Sequence, residues 1–324
     1  MERRQFMAFG LAAVAAVSLA ACDTAQPSGG ASSGGKAYIA IVSKGFQHQF
    51  WQSVKQGAEK AAAEFDVDIS FEGPDKETNV QQQMDQLGNA MAKNPQALAL
   101  AALDSKAAEG VLQDAKNRKI PVIAFDSGVD SSIPVATAST DNKAAAAEAA
   151  KNLARLIGNS GKIAIIGHSQ TATSGTDRRD GFVDWLKANA PGISIADIQY
   201  ADGDQLKSTD AAKNILSANP DLKGMYGTNE GAAIGVVNAV QELSLSGKIT
   251  VVGFDSGKAQ IDAIRSGLMA GAVTQNPVGI GYETVKAAVA AIKGETVQKV
   301  IDTGFYWYDK TNIDDPKIAA NLYQ

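Results

Sequence analysis

The sequence predicts an α/β protein with two doubly wound parallel-sheet lobes. Three observations predict this fold: short apolar segments alternate with segments of helical period, the chain has 324 residues, and the motif Phe-Asp-Ser-Gly occurs at 125–128 and again at 254–257. Alternation of this kind favours parallel sheets with helices on both faces, and a chain of this length suits two cores. The repeat indicates that the two lobes share one plan.

Each copy of the motif ends an apolar run that is typical of a strand buried on both faces. Open α/β sheets bind ligands at the carboxyl ends of their strands. We therefore expect Asp126 and Asp255 to face a shared cleft. Asp-Ser-Gly by itself also favours a simple turn in which the Asp side chain bonds its own backbone, but two matched copies favour the ligand-binding interpretation.

The first half of the chain alternates strand and helix. Apolar side chains at Trp51, Val54 and Ala58 recur with the helical period, and Asp104 is typical of the N-cap of a later helix. The apolar runs that predict strands are 38–42, 67–71, 97–103, 120–125 and 135–139.

The second half restarts the cycle after Asp141, which is placed to cap an alanine-rich helix. The tail is too short for a third core, so we expect it to return and complete the two lobes. Strands are predicted at 162–166, 193–199, 222–226, 249–254 and 270–275, a helix at 278–292 and an extended segment at 297–308.

The N-terminus is predicted to lie outside the fold. Residues 1–22 have two arginines, an apolar run and Leu-Ala-Ala-Cys at the end, which is typical of a lipoprotein signal peptide with Cys22 as the lipidated residue. An ordinary secretory signal with a chance cysteine is the alternative. Residues 23–36, rich in Ser, Gly and Ala, predict a flexible linker. The folded part is thus expected outside the cytoplasmic membrane, attached to it only through a lipid.

Composition and motifs argue against nucleic-acid binding, metal binding and catalysis. The net charge of −5 gives no general attraction to nucleic acid. Two distant histidines and one cysteine make a transition-metal site improbable. Residues 167–171 begin like a nucleophile elbow around Ser169, but Thr171 replaces the second glycine. We expect no enzyme activity, no catalytic residue, no metal and no cofactor.

Side chains suited to hydroxyl groups cluster in the loops that follow the predicted strands. Asp, Asn, Arg and Gln match the donors and acceptors of a sugar, and an aromatic face can cover the apolar side of its ring. Phe50 and Trp51 could instead be core, Arg178 or Arg179 a surface charge, and Asn229 only a helix cap. The predicted ligand-binding residues are Lys44, His48, Phe50, Trp51 and Asp126 in the first lobe, and Arg178, Asn229, Asp255 and Gln275 in the second, with Gln47 nearby.

These residues carry a resemblance that runs from about Tyr38 to Tyr308. Phe50-Trp51, the two Phe-Asp-Ser-Gly copies, Arg178 and Asn229 follow one another as in type I periplasmic sugar-binding proteins of the ribose-binding group. The resemblance implies a periplasmic-binding-protein type I fold with three crossover segments, near Ser139, Gln275 and Thr303. Lobe 1 would be 37–139 plus 276–302, and lobe 2 would be 140–275 plus 303–324.

The resemblance also implies a function. Such a protein captures a small-molecule sugar or polyol, here expected as a monomer, and delivers it to the permease subunits of an ABC importer. Ser127 and Gly203 stand where ribose binders have an arginine and an aromatic residue, so we expect a roomier, less cationic pocket. A hexose, a polyol or a substituted pentose would fit that pocket better than ribose.

Two other functions are known uses of the same fold. A ligand-sensing receptor for chemotaxis or quorum signalling would use the same fold, and the sequence does not distinguish it from a transport protein. A repressor of this fold needs a helix-turn-helix before residue 36, where the signal peptide is predicted instead.

Overall fold

A computed structural model describes residues 35–323 of the chain. The predicted signal peptide (1–22), its lipidation site Cys22 and nearly all of the predicted linker (23–36) lie outside the described residues.

The described residues form alternating strands and helices. The first eight elements are β1 (Tyr38–Val42), α1 (Gln49–Phe65), β2 (Asp68–Glu72), α2 (Val80–Ala92), β3 (Ala97–Leu100), α3 (Glu109–Asn117), β4 (Val122–Phe125) and β5 (Ala136–Ser139). The cycle then repeats as α4 (Asn142–Leu156), β6 (Gly161–Gly167), α5 (Thr173–Asn189), β7 (Ile193–Tyr200), α6 (Gln205–Ala218), β8 (Leu222–Gly227), α7 (Glu230–Glu242), β9 (Thr250–Phe254), α8 (Lys258–Ser266) and β10 (Gly271–Gln275). The chain ends with α9 (Pro277–Ile292), β11 (Val300–Asp302), β12 (Phe305–Tyr308) and α10 (Pro316–Ala319).

The strands form two six-stranded sheets of matching order. The first sheet is β2-β1-β3-β4-β5-β11, and the second is β7-β6-β8-β9-β10-β12. Every strand pair of the first sheet is parallel. The first five strands in each of these orders have the doubly wound arrangement, in which a ligand crevice forms at the carboxyl ends of the strands. The predicted fold class is confirmed.

One edge strand departs from the predicted parallel arrangement. β12 runs antiparallel to β10, with Phe305 opposite Gln275. The reason lies in the chain path, because the last residue of β10, Gln275, pairs with the first residue of β12, Phe305. Only Thr303 and Gly304 separate β11 in the first sheet from β12 in the second, so the chain re-enters the second sheet at the end where β10 finishes and runs in the opposite direction.

The segments between the two sheets are bonded to one another. The Thr303 N–H donates to Ser139 O at 3.1 Å, and Thr140 Oγ1 donates to Gln275 Oε1 at 2.9 Å. Asn276 Nδ2 donates to Thr303 O at 3.2 Å. These contacts and the sheet assignments support the lobe limits predicted from the sequence, which we keep as a proposal.

Local capping explains where several helices begin. Asp141 and Asn229 each accept a backbone N–H in the first turn of α4 and α7, as expected of N-caps. The predicted cap Asp104 behaves differently. Its side chain accepts the N–H groups of Lys106 and Ala107 and closes a separate turn, and α3 begins only at Glu109.

Candidate functional site

The aspartates of the two Phe-Asp-Ser-Gly copies both have a positive φ. Asp126 and Asp255 directly follow β4 and β9, with φ angles of 53° and 80°. In each copy the Asp N–H donates to the neighbouring strand, to Ala138 O at 2.9 Å and to Val273 O at 2.7 Å. Positive φ is uncommon outside glycine, and Asp tolerates it better than most residues. The repeat therefore presents two carboxylates from equivalent places in the two lobes.

Both carboxylates line one cavity of about 20 Å³ between the lobes. Two residues outside the predicted set, Glu77 and His168, also line it. All of the predicted ligand-binding residues surround this cavity, namely Lys44, His48, Phe50, Trp51, Asp126, Arg178, Asn229, Asp255 and Gln275. The structure thus brings the predicted set together, while the contact of each residue with a ligand stays a prediction.

On the first-lobe side, Asp126 is paired with a buried lysine. Lys44 Nζ lies 3.0 Å from Asp126 Oδ2, and both side chains are almost fully buried. Burial raises the pKa of Asp126, and the positive charges of Lys44 and Arg178 oppose that rise. Lys44 Nζ also donates to Ser174 Oγ of the second lobe at 3.0 Å, so this ion pair lies where the lobes meet.

Phe50 and Trp51 belong to the hydrophobic core and also line the cavity. Their rings meet edge to face with centroids 4.9 Å apart, and both residues are buried in the first lobe's core. The Trp51 indole N–H donates to Glu77 Oε1 at 2.7 Å. Burial alone would raise the pKa of Glu77, but Lys44, His48 and the indole N–H outweigh burial and lower it. Glu77 is therefore an ionised acceptor.

On the second-lobe side, Asp255 accepts several bonds. Gln275 Nε2 donates to its Oδ1 at 2.7 Å, the Glu230 N–H donates to its Oδ2 at 3.0 Å, and Arg178 Nη1 lies 3.7 Å from Oδ2. The Arg178 guanidinium stacks on the Phe254 ring, with Cζ 3.7 Å from the ring centroid. Asp255 is thus anchored within its own lobe and at the crossover.

Further bonds hold Arg178 in the cavity wall. Its Nε donates to Asn142 Oδ1 at 2.8 Å and its Nη1 to Thr228 O at 3.0 Å. The neighbouring Arg179 bonds Asp180 and Tyr200 outside the cavity, so one arginine of the pair faces the site. Asn229 uses its Oδ1 to cap α7, which leaves its amide nitrogen as a possible donor to the cavity.

His168 and Ser169 belong to the segment that resembles a nucleophile elbow, but they do not have the geometry of that motif. His168 Nδ1 lies 2.8 Å from Thr228 Oγ1. Burial, with Arg178 and Lys44 nearby, holds the pKa of His168 well below its usual value, so the ring is neutral. Ser169 Oγ accepts the N–H groups of Thr171 and Ala172 and does not line the cavity. From the sequence, His168 was considered only as part of this incomplete elbow and was not predicted to line the cavity.

The two positions that depart from ribose binders border different surroundings. Ser127 Oγ lies 3.2 Å from Ser174 Oγ and 3.3 Å from Thr173 Oγ1, so the second lobe closes the space beside it. Gly203 instead borders a larger space of about 280 Å³, here called the outer recess, which also contains Gln47, Gln205 and Glu230 in its wall and shares His48 with the cavity. Gly203 therefore borders open space, whereas Ser127 contacts the second lobe, and a roomier ligand pocket stays a prediction.

The sequence can now be compared with known proteins. Residues 39–296 match the family model described as Periplasmic binding protein domain. The chain belongs to the periplasmic binding protein family. A curated relative, the D-allose-binding periplasmic protein of Escherichia coli (strain K12), is 30% identical over 269 residues, which cover 81% of this chain and 86% of that protein. Members of this family are solute-binding components of transport, which confirms the prediction that the chain is not an enzyme.

Solved structures agree with this assignment. The carbohydrate transporter solute binding protein from Agrobacterium Radiobacter, in complex with D-arabinose, has a TM-score of 0.86 and 34% identity, and the match covers 90% of this chain and 100% of that chain. An ABC transporter solute binding protein from Agrobacterium vitis with bound D-fucose has a TM-score of 0.85 and 32% identity, with coverage of 89% and 100%. The predicted resemblance to type I periplasmic sugar-binding proteins is confirmed.

The described part of the chain contains neither a membrane-spanning helix nor a group of side chains arranged to hold a metal ion. Within residues 35–323, no helix is long and apolar enough to cross a membrane. No group of three or more His, Cys, Asp or Glu side chains in the same residues is arranged to hold a metal ion.

Proposed function

We propose that this periplasmic binding protein captures a monosaccharide or related polyol between its lobes and delivers it to an ABC importer. The observation that carries the proposal is the cavity, where carboxylates of both lobes, two amides, a guanidinium and two aromatic rings surround one small space. The relatives support it, since one is named for D-allose and two solved structures hold D-arabinose and D-fucose. These sugars differ in size, so the family alone does not select among them.

The polar groups suit a neutral ligand. Asp126 and Asp255 would each accept from ligand hydroxyls in charge-assisted hydrogen bonds, and Arg178 would donate to them. Among the described residues, each cavity cation already has a carboxylate partner, Lys44 with Asp126 and Arg178 with Asp255. The cavity therefore offers no unpaired positive charge to a sugar acid or a sugar phosphate.

The walls of the cavity suit a single sugar ring. In this conformation the enclosed space is about 20 Å³, room for about one water molecule, so the lobes would move apart for a ring to occupy it. Phe50 and Trp51 would cover the apolar C–H side of the ring, while the opposite edge would meet Asn229 and Asp255. The ligand would then be held by side chains of both lobes at once.

Direct contacts across the cleft support a mechanism of closure around the ligand. Lys44 bonds Ser174, Ser127 lies within hydrogen-bond distance of Thr173, and the Lys258 N–H donates to Gln49 Oε1 at 3.0 Å. A ligand that contacts both lobes stabilises the closed form by its higher affinity for that form. The closed form would then dock on the permease subunits.

The N-terminal sequence adds a proposed location. Periplasmic binding proteins act outside the cytoplasm, and we propose that Cys22 carries the lipid that attaches this one, as a monomer, to the bacterial membrane. Metabolic labelling with a fatty-acid analogue should mark the wild-type protein and not Cys22→Ala. Equal labelling of both would remove this part of the proposal.

A thermal-shift screen of residues 36–324 tests the binding function. We expect at least one of D-allose, D-arabinose, D-fucose, ribose and simple polyols to raise the melting temperature, since a ligand at about 100 times its Kd adds about 2.7 kcal/mol of stability. The shift should disappear in Asp126→Asn and persist in Asp184→Asn, a matched change at an exposed position of α5. A panel in which no neutral sugar or polyol shifts the melt would overturn the proposal.

A further inference from the structure

The outer recess adjoins the cavity and is built by both lobes. Its volume is about 280 Å³, and His48 lines both spaces. Gln47 and Lys76 contribute from the first lobe, and Gly203, Gln205 and Glu230 contribute from the second. A group placed in the recess would therefore contact both lobes, as the ligand in the cavity would, and would also favour the closed form.

Two glycines keep the inner wall of the recess free of side chains. Gly203 has φ +68°, and a Cβ built on it would lie 2.8 Å from Asn229 Nδ2. A Cβ on Gly231 would lie 2.0 Å from Gly203 O and 3.2 Å from His48 Cε1. Side chains are thus excluded at both positions, next to His48 and Asn229, which line the cavity itself. His48 and Asn229 therefore lie between the cavity and the recess.

The second observation is a buried polar atom without a partner. Among residues 35–323, Glu230 Oε2 is buried and has no hydrogen-bond partner. Burial, with Asp255 and Glu77 nearby, raises the pKa of Glu230 to about 8, so at neutral pH this carboxyl group is largely protonated. A protonated carboxyl both donates and accepts, which is the pattern that a sugar hydroxyl satisfies.

The remaining wall favours a hydroxylated occupant over a charged or an aromatic one. Two aspartates, Asp75 and Asp204, outnumber the single cation Lys76, which disfavours a phosphate or a carboxylate. The apolar contribution is limited to Ile234 and Ala259, too little to cover an aromatic group but enough for one face of a second sugar ring.

We propose that the outer recess is a second subsite, and that the protein takes a glycosylated sugar whose first ring lies in the cavity and whose second ring lies in the recess. This inference rests on the proposed function, because it requires the first ring to bind in the cavity. Because Asn229 packs against Gly203 and His48 against Gly231, the link between the two rings would pass beside the side chains of His48 and Asn229.

Calorimetric titration with matched sugars tests the second subsite. Lactose, melibiose, maltose and xylobiose are each compared with galactose, glucose and xylose. We expect at least one disaccharide to bind about tenfold more tightly than its own monosaccharides. If monosaccharides bind and no disaccharide binds more tightly, the second subsite is refuted and the proposed function stands. If neither class binds, and the sugars of the thermal-shift screen also fail, both proposals fall.

A tryptophan in the recess locates the effect. Gln205 is exposed at the start of α6, and Gln205→Trp should fill the recess and weaken disaccharide binding about tenfold while changing monosaccharide binding less than about twofold. Gln241→Trp, at an exposed position near the end of α7, is the control and should change neither. Disaccharide binding that is equally tight in Gln205→Trp would show that the second ring lies elsewhere, and would overturn the assignment to the recess.

Discussion

The aspartates of the two Phe-Asp-Ser-Gly copies share a positive φ and have different partners. Asp126 forms an ion pair with Lys44, and Lys44 also bonds the opposite lobe. Asp255 is held by Gln275, the Glu230 N–H and Arg178. Both aspartates are therefore held by groups of their own lobe, but only the partner of Asp126 also connects the two lobes.

The serines of the two copies differ in the same way. Ser127 Oγ lies within hydrogen-bond distance of Thr173 and Ser174 across the cleft. Ser256 Oγ instead lies 2.7 Å from Thr274 Oγ1 on the adjacent strand β10, and its N–H donates to Tyr323. The Ser127 hydroxyl thus contacts the opposite lobe, whereas the Ser256 hydroxyl contacts a strand of its own lobe.

The largest expected effect comes from removing each carboxylate's charge. Asp255→Asn should lower the free energy of unfolding by about 3 kcal/mol, because Arg178 would remain buried without its carboxylate. Asp126→Asn should cost roughly half as much by the same reasoning, since Lys44 keeps the negative charge of Glu77 nearby. Asparagine tolerates the positive φ of both sites. Urea denaturation measures both values, and equal losses would contradict the asymmetry.

A second expected effect depends on pH and comes from Glu230, on the Asp255 side. The pKa of Glu230 is raised from 4.5 to about 8 by burial and by Asp255 and Glu77. The folded protein therefore holds a proton that the unfolded chain releases above its ordinary pKa, so this group's contribution to stability falls as pH rises from about 4.5 to about 8.

Glu230→Gln removes that pH dependence. Melting temperatures of the variant and the wild type should differ least below pH 5, and the variant should gain several degrees relative to the wild type by pH 9. Gln241→Glu, at an exposed position of the same helix, is a control for the change of charge. A difference between Glu230→Gln and wild type that stays constant across this range would refute the assignment of a raised pKa.

The smallest expected effects distinguish the two serines. Ser127→Ala should weaken sugar binding about fivefold, equivalent to one hydrogen bond of about 1 kcal/mol, with little change in unfolding, because its partners lie across the cleft. Ser256→Ala should do the reverse and lower the free energy of unfolding by about 1 kcal/mol. Titration and urea denaturation of both variants provide the comparison. The asymmetry fails if Ser127→Ala alters stability and leaves affinity unchanged.

Much of this site could be predicted because its residues occupy regular places in the repeat. Asp126 and Asp255 follow apolar strands, and Asn229 has the position of a helix cap beside the same edge. Glu77 had no such signal, since it lies in the loop before α2. Its place at the cavity depends on tertiary contacts such as the hydrogen bond from Trp51. His168 was visible after β6, but its bond to Thr228 and its burial depend on packing between distant segments.

The sequence by itself determined the alternation of strands and helices, the two matched lobes and the aspartates at the strand ends, because those depend on hydrophobic period and on local turn and cap chemistry. Only the tertiary structure decided which serine crosses the cleft, which arginine of the pair at 178–179 enters the wall, and where Gly203 leaves space. These outcomes depend on how two lobes of similar local sequence meet, and the partner of a buried polar group is set by the surface that closes over it.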